Sequence, residues 1–267
     1  MRLFNYLFII ELFFGGTITS NCIGQNSIQL KSYKAKFVNA SPIIDGRLDD
    51  IAWKNAMWAN DFEDIQGAGQ KKPKFKTKFK LIWDNEFLYI GAFLQEPNLW
   101  ASQVKRDDIV YRDHDFEIFL DPNNDGENYF EFEINALGTL MDLKMTKPYK
   151  KGGTYSLNWN AEGTKSAVYC DGTLNNNTDK DKGWYIEMAI PFKALQLPNR
   201  NFLPLQDQPW RINFSRVEWN VEPVNTTYTK VLGSNNKPIP EYNWVWCPTG
   251  VIDIHLPNKW GNLYFIK

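Results

Sequence analysis

Residues 113–135 read DHDFEIFLDPNNDGENYFEFEIN, and no other stretch constrains the fold as much. In the first half His114, Phe116, Ile118 and Leu120 fall on one face of an extended chain, and Asp113, Asp115, Glu117 and Phe119 on the other. In the second half Phe130, Phe132 and Ile134 alternate with Tyr129, Glu131 and Glu133. Alternation with period two requires strands, one face on a core and the other toward solvent or a groove. Pro122, Asn123, Asn124 and Gly126 are turn formers, so the stretch is a β-hairpin with an acidic tip.

The same pattern recurs along the chain. Phe75, Thr77, Phe79, Leu81 and Trp83 alternate with Lys74, Lys76, Lys78 and Lys80, which predicts a long strand whose cationic outer face guards the sheet against aggregation. Residues 87–94 read as a buried strand, and further strands are expected at 139–146, 165–170, 184–190, 210–219, 244–247 and 261–266. Only 49–56 and 191–195 look helical. The expected class is all-β: an antiparallel β-sandwich of two sheets, jelly-roll or immunoglobulin-like, with one or two short helices.

Residues 1–24 have the make-up of a secretory signal peptide. Arg2 precedes an apolar run over 3–14, broken only by Asn5 and Glu11 and too short to span a bilayer. Cleavage is expected before Gln25; a lipid on Cys22 is the alternative. Residues 25–39 then read as a linker and 40–267 as one domain, exported to the periplasm, the exterior or the cell surface. No second apolar run suits a membrane helix, so no transmembrane segment is expected in the mature chain. The 30 Lys+Arg against 31 Asp+Glu create no field that favours nucleic acid. The chain has 11 Trp within 15% aromatics, more than a core of this size requires, which points to rings facing a ligand. Export permits a Cys170–Cys247 disulfide; two unpaired core thiols are the alternative.

Five motifs occur in order: Ile44-Asp45-Gly46 with Asp49, Asp50 and Trp53; Leu81-Ile82-Trp83-Asp84 with Leu88-Tyr89-Ile90; 115–121; 183–191; and Trp260-Gly261-Asn262-Leu263. Together they resemble the family 9 carbohydrate-binding modules over roughly residues 40–267. The resemblance implies a sugar-binding β-sandwich, often joined to glycoside hydrolases, with structural calcium. It also implies two rings clamping a sugar. One maps six residues before Glu117, to Tyr111; the other maps by ungapped count to Ile254, which is not aromatic. Trp244, Trp246 or Trp260 are then the rings available to replace it.

The candidate carbohydrate-binding residues are Tyr111, Arg112, Glu117, Arg216, Trp219, Trp246, His255 and Trp260. Sugars need flat rings for their C–H faces and fixed polar groups for their hydroxyls. Arg216 continues an apolar strand side, so it is either a rim residue or half of a buried ion pair. Trp53, Trp83 and Trp184 read as core, and His114 as a buried, hydrogen-bonded residue. Asp121, Asn123 and Asp125, followed by Gly126, have the opening spacing of a calcium loop, although Phe132 stands where an EF-hand has glutamate. A solvated turn fits them equally well. Asn175, Asp179 and Asp181 form a second, weaker oxygen-rich loop.

The leading reading is a carbohydrate-binding module with structural calcium, taking a sugar or oligosaccharide and serving a glycoside hydrolase or a sugar-uptake system. One rival is a glycoside hydrolase using two of Asp113, Asp115, Glu117, Glu131 and Glu133. Another is a haem-binding sandwich with ligands from Met141, Met145 or His255. The chain carries no nucleophile elbow, phosphate loop or dinucleotide fingerprint.

Overall fold

The computed structural model describes residues 30–59, 62–195, 204 and 208–267. The expected signal segment, with Cys22, lies outside them. Among the described residues the chain forms β1 (Ser32–Phe37), β2 (Glu63–Asp64), β3 (Thr77–Trp83), β4 (Phe87–Gln95), β5 (Asp115–Asp121), β6 (Phe130–Asn135), β7 (Leu140–Met145), β8 (Tyr155–Ser156), β9 (Lys165–Asp171), β10 (Gly183–Pro191), β11 (Trp210–Glu218), β12 (Val221–Val224), β13 (Thr227–Lys230), β14 (Tyr242–Val245) and β15 (Gly261–Ile266). Both helical expectations shorten to single 3-10 turns, Ile51–Trp53 and Phe192–Leu195.

The strands run in the order β8-β7-β6-β5-β11-β15-β1-β3-β4-β10-β9, with β14 joining β11 to β2. This long sheet curls so that its two halves face each other across one core. Phe79 of β3 meets Phe214 of β11 with ring centroids 3.8 Å apart, and Phe214 stacks on Phe116 of β5 at 5.6 Å. The sandwich is therefore as expected, with one difference. β1 pairs in parallel with both β15 and β3, so the sheet is mixed. β1 also moves the domain boundary, because Ser32–Phe37 is a central strand and not part of a linker. Its buried Tyr33 and Ala35 alternate with exposed Ser32, Lys34 and Lys36.

Two of the sequence motifs are fold devices. Glu187 of β10 accepts hydrogen bonds from the Asp45 and Gly46 amides (3.0 and 2.8 Å) and from the Trp53 indole (2.6 Å). One carboxylate thus pins the Asp-Gly turn and the following 3-10 turn onto the sheet. Asp84 closes the β3–β4 hairpin by accepting from the Glu86 and Phe87 amides and the Tyr89 hydroxyl. The oxygen-rich loop before Gly183 is similarly occupied: Asp181 accepts from the Leu99 and Thr173 amides, and Asn175 from that of Ala101.

The lysine row is less open than its alternation suggests. Lys80 is buried, with its ammonium 5.1 Å from the Trp53 ring and 4.8 Å from that of Trp58; Lys78 lies 4.2 Å from Trp58. Cys170 and Cys247 are both free thiols.

The β5–β6 hairpin is buried on both faces. Its apolar side enters the central core. Its acidic side, expected to be a polar surface, is buried as well, flanked on the same sheet face by members of a second cluster of Val110, Phe119, Tyr129, Met141, Leu143, Met145 and Trp260. Trp260, from the segment leading into β15, joins that cluster, so Glu117 and its neighbours lie buried instead of facing solvent.

Candidate functional site

Register builds a floor of carboxyls. Ser215, Glu117, Glu133 and Met141 stand opposite one another across β11, β5, β6 and β7. Cross-strand partners share a face. Asp115 and Glu131 lie two residues along the same face from Glu117 and Glu133. Single oxygens of Asp115, Glu117 and Glu133 come within 4.8 Å of one another. All four carboxyls are buried, Glu131 and Glu133 at only 5% and 2% exposure.

Burial pushes every one of them up. Glu117 rises to about 7, against a lowering from the Ser215 hydroxyl facing it. Glu131 rises to about 8 through burial and then through Glu117. Asp115 and Glu133 lie well above the usual range, first from burial and then from neighbouring carboxylates. Among the described residues no lysine or arginine forms an ion pair with any of the four. His255 Nε2 lies 4.0 Å from Glu131 Oε2. Burial pushes His255 down to about 4, so the ring is neutral at neutral pH and brings no charge. Its Nδ1 lies 3.0 Å from the Tyr129 hydroxyl.

The rim is aromatic. The 3-10 turn Val110–Arg112 crosses above β6 and is tied down by the Tyr111 amide, which donates to Glu133 Oε2 at 3.0 Å. Tyr111 is 45% exposed. The Trp219 indole donates to the Tyr111 carbonyl at 3.0 Å, and the Lys230 ammonium sits 3.3 Å above the Trp219 ring. Tyr149, 44% exposed, meets the His255 ring edge-on at 4.6 Å. Burial raises the Tyr149 hydroxyl to about 12, helped by the charges of Glu131 and Glu133 among others.

The structure thus brings together Tyr111, Arg112, Glu117, Trp219 and His255. The other three expected sugar contacts need correction. Trp246 is buried edge-on to Phe79 in the central core. Trp260 is fully buried, its indole donating to the Ile254 carbonyl and its ring edge-on to Tyr129. Neither offers a face to a ligand. Arg216 is fully buried and bonded to Glu96 (2.7 Å), Glu218 (2.8 Å) and the Gln95 carbonyl (2.9 Å), so the ion-pair alternative holds. Its side of β11 points into the sandwich with Ile212 and Phe214.

The hairpin tip takes the form of a turn. Asp121 accepts from the Asn124 and Gly126 amides, and the Asn123 side-chain amide donates to Asp125. Asp113 accepts from the Ser102 and Gln103 amides, which makes it a loop anchor. Met141 and Met145 are packed inside the second cluster with Trp260. Sequence reasoning missed Tyr149, which sits among lysines and glycines with no alternation to single it out, and Ser215.

Residues 44–206 match the family described as "Carbohydrate family 9 binding domain-like". The chain belongs to that family. It is 28% identical over 166 residues to exoglucanase XynX of Acetivibrio thermocellus, covering 62% of this chain and 13% of that protein. It is 27% identical over 165 residues to endo-1,4-beta-xylanase A of Thermoanaerobacterium saccharolyticum, covering 62% and 12%. The chain thus spans a small fraction of these curated relatives. Among solved structures, a family 9 carbohydrate-binding module of Caldicellulosiruptor kristjanssonii in complex with cellotriose superposes with TM-score 0.54 at 18% identity, covering 88% of this chain and 94% of that one. A chain from Bacteroides uniformis gives 0.59 at 18% identity, covering 89% and 100%. These likenesses establish the family 9 sandwich. The family expected from the five ordered motifs is the one matched.

Proposed function

We propose that the chain is an exported carbohydrate-binding module whose site is the pocket beneath Tyr111. The observation that carries this reading is the exposed Tyr111 ring, whose backbone N–H donates a hydrogen bond to the buried Glu133 carboxylate. A ring above fixed polar groups suits a pyranose, whose C–H face stacks while its hydroxyls exchange hydrogen bonds. Tyr149 supplies the second ring that position 254 lacks, and Glu117 and Glu133 meet hydroxyls. Arg112 and Trp219 border the mouth. Support from relatives is of the same kind: similar modules were solved with cellotriose and with glucose, and the related xylanase polypeptides are far longer than the matched segment. Service to a glycoside hydrolase or a sugar-uptake system follows from that context, and export from residues 1–24.

Hydrolysis fits the geometry less well. Two catalytic carboxyls must flank the bond from opposite sides, roughly 5–10 Å apart. Here the closely grouped carboxyls rise from one sheet face and would lie on a single side of any sugar. Calorimetric titration with cellotriose, xylotriose and glucose, with product analysis of the same mixtures, tests the reading. Saturable binding without new reducing ends is expected; new reducing ends that vanish in Glu117→Gln would replace it with an enzyme.

A further inference from the structure

We propose that the lysine-lined pocket between β2 and the start of β3 is a subsite for the carboxylate or sulfate group of an acidic saccharide, an inference that rests on the saccharide reading of the neighbouring Tyr111 site.

Charge is concentrated here against the balance of the whole. The chain has a net charge of −1, yet residues 65–83 carry six lysines and no Asp or Glu. Lys78 and Lys80 are used by the fold, since both lie against the Trp58 ring. The other four, Lys71, Lys72, Lys74 and Lys76, are exposed and line one pocket of about 580 Å³. Among the described residues none of these four has a carboxylate within ion-pair distance. The two acids of the lining are already engaged. Glu63 holds the Lys31 ammonium at 2.7 Å, and Asp64 accepts from the Gln66 amide at 2.9 Å. A lysine row that only protects a sheet projects into open solvent. These lysines surround a cavity instead, where their mutual repulsion is relieved by a bound anion.

One wall of the pocket is fixed from behind. The buried Arg216 donates to the Thr77 hydroxyl at 3.3 Å and to the Gln95 carbonyl at 2.9 Å, and Gln95 Oε1 accepts from the Lys76 amide at 3.2 Å. Thr77, Gln95 and Lys76 all line the cavity, so this wall is in place before any ligand arrives. Phe75 adds a half-buried ring to the lining and Gln95 an exposed side-chain amide. A ring for C–H groups, an amide for hydroxyls and ammoniums for an anion are what an acidic sugar requires. The volume falls in the range of about 300–1,000 Å³ usual for ligand pockets.

The pocket also adjoins the Tyr111 site. Lys74 donates to Asn220 Oδ1 at 3.2 Å, and the preceding residue, Trp219, donates its indole to the Tyr111 carbonyl at 3.0 Å. Lys230 stands 3.3 Å above the Trp219 ring, and the exposed Arg112 follows Tyr111. Cations thus continue from the pocket to the ring at which the saccharide is placed. A nucleic acid, charged along its whole length, is held by an extended basic face. A pocket of this size takes one sugar residue.

The test titrates the full chain by calorimetry with trigalacturonate, a sulfated chondroitin tetrasaccharide and neutral cellotriose, in about 50 and about 500 mM sodium chloride. At least one acidic probe should bind about tenfold more tightly at low salt than at high, with cellotriose affinity unchanged by salt. Which acidic probe responds tells whether uronate or sulfate is the ligand group. In Lys71→Gln/Lys72→Gln/Lys76→Gln, three exposed changes outside the core, affinity for that probe should fall about fivefold or more while cellotriose binding is preserved. Failure of both acidic probes to bind overturns the proposal; if cellotriose still binds, the Tyr111 reading stands without it. Acidic-probe affinity equal in wild type and the triple variant also overturns it. So does equal affinity for a short DNA duplex lost in the same variant, which would make the patch a general polyanion surface.

Discussion

The Tyr111 backbone N–H lies 3.0 Å from Glu133 Oε2, so the most exposed ring at the pocket mouth and the acids at its floor are one mechanical unit. Any change in the charge or position of Glu133 therefore reaches the ring above it.

Tyr149 is the ring that distinguishes this pocket from one completed at position 254. Replacing an exposed aromatic removes its stacking energy, about 1 kcal/mol, without opening the core. Tyr149→Ala should weaken saccharide binding about five- to tenfold in calorimetry and leave the melting temperature nearly unchanged. Ile254→Ala should leave affinity within about twofold, since Ile254 contacts the Trp260 cluster from outside the proposed clamp.

Arg216 predicts the opposite phenotype. Its guanidinium is the only described cation bonded to Glu96 and Glu218, and burial already drives Glu96 well above its ordinary value. Arg216→Met leaves uncompensated acids in the interior, a loss of about 3–5 kcal/mol. Urea unfolding should show a large fall in midpoint.

The floor makes stability depend on pH. Glu117 and Glu131 have folded values of about 7 and 8, above those of an unfolded chain. Between the unfolded and folded values the native state holds more protons, so stability falls as pH rises. The contribution is complete below about pH 4.5 and is lost as pH passes through 7 to 8. His255, lowered to about 4, acts in the opposite sense between about 4 and 6.5. In chelator the melting temperature should therefore decline from pH 6.5 to 8.5, and Glu131→Gln should flatten that decline.

Gly46 tests the fold motif. Its φ is +88°, and a Cβ there would sit 2.7 Å from the Tyr169 amide nitrogen. Gly46→Ala combines left-handed strain with a backbone clash in the turn that Glu187 holds, a cost of roughly 2 kcal/mol or more. Denaturant unfolding should register it, with sugar affinity per folded molecule preserved.

Much of the fold was legible because alternation reports faces directly. Phe116, Ile118, Phe130 and Phe132 enter the core as read. What alternation does not report is what covers the opposite face. The acidic side of β5 and β6 is flanked by a cluster that Trp260 joins from more than a hundred residues away in sequence, so Glu117 reads as surface when it is buried. Trp219 and Trp246 look alike in sequence, yet only the sheet's curl buries the second. β1 escaped because its Tyr33, Ala35 and Phe37 alternate among lysines, a pattern that passes for a linker until β15 and β3 flank it.

The central claim, a saccharide site beneath Tyr111, is tested most directly by calorimetric titration of the wild type and Tyr111→Ala with cellotriose, xylotriose and glucose in calcium-containing buffer. Saturable one-to-one binding of at least one sugar, weakened about tenfold or more in a normally folded Tyr111→Ala, is the predicted result. No binding of any of the three by the wild type, or equal binding by both proteins, would contradict it.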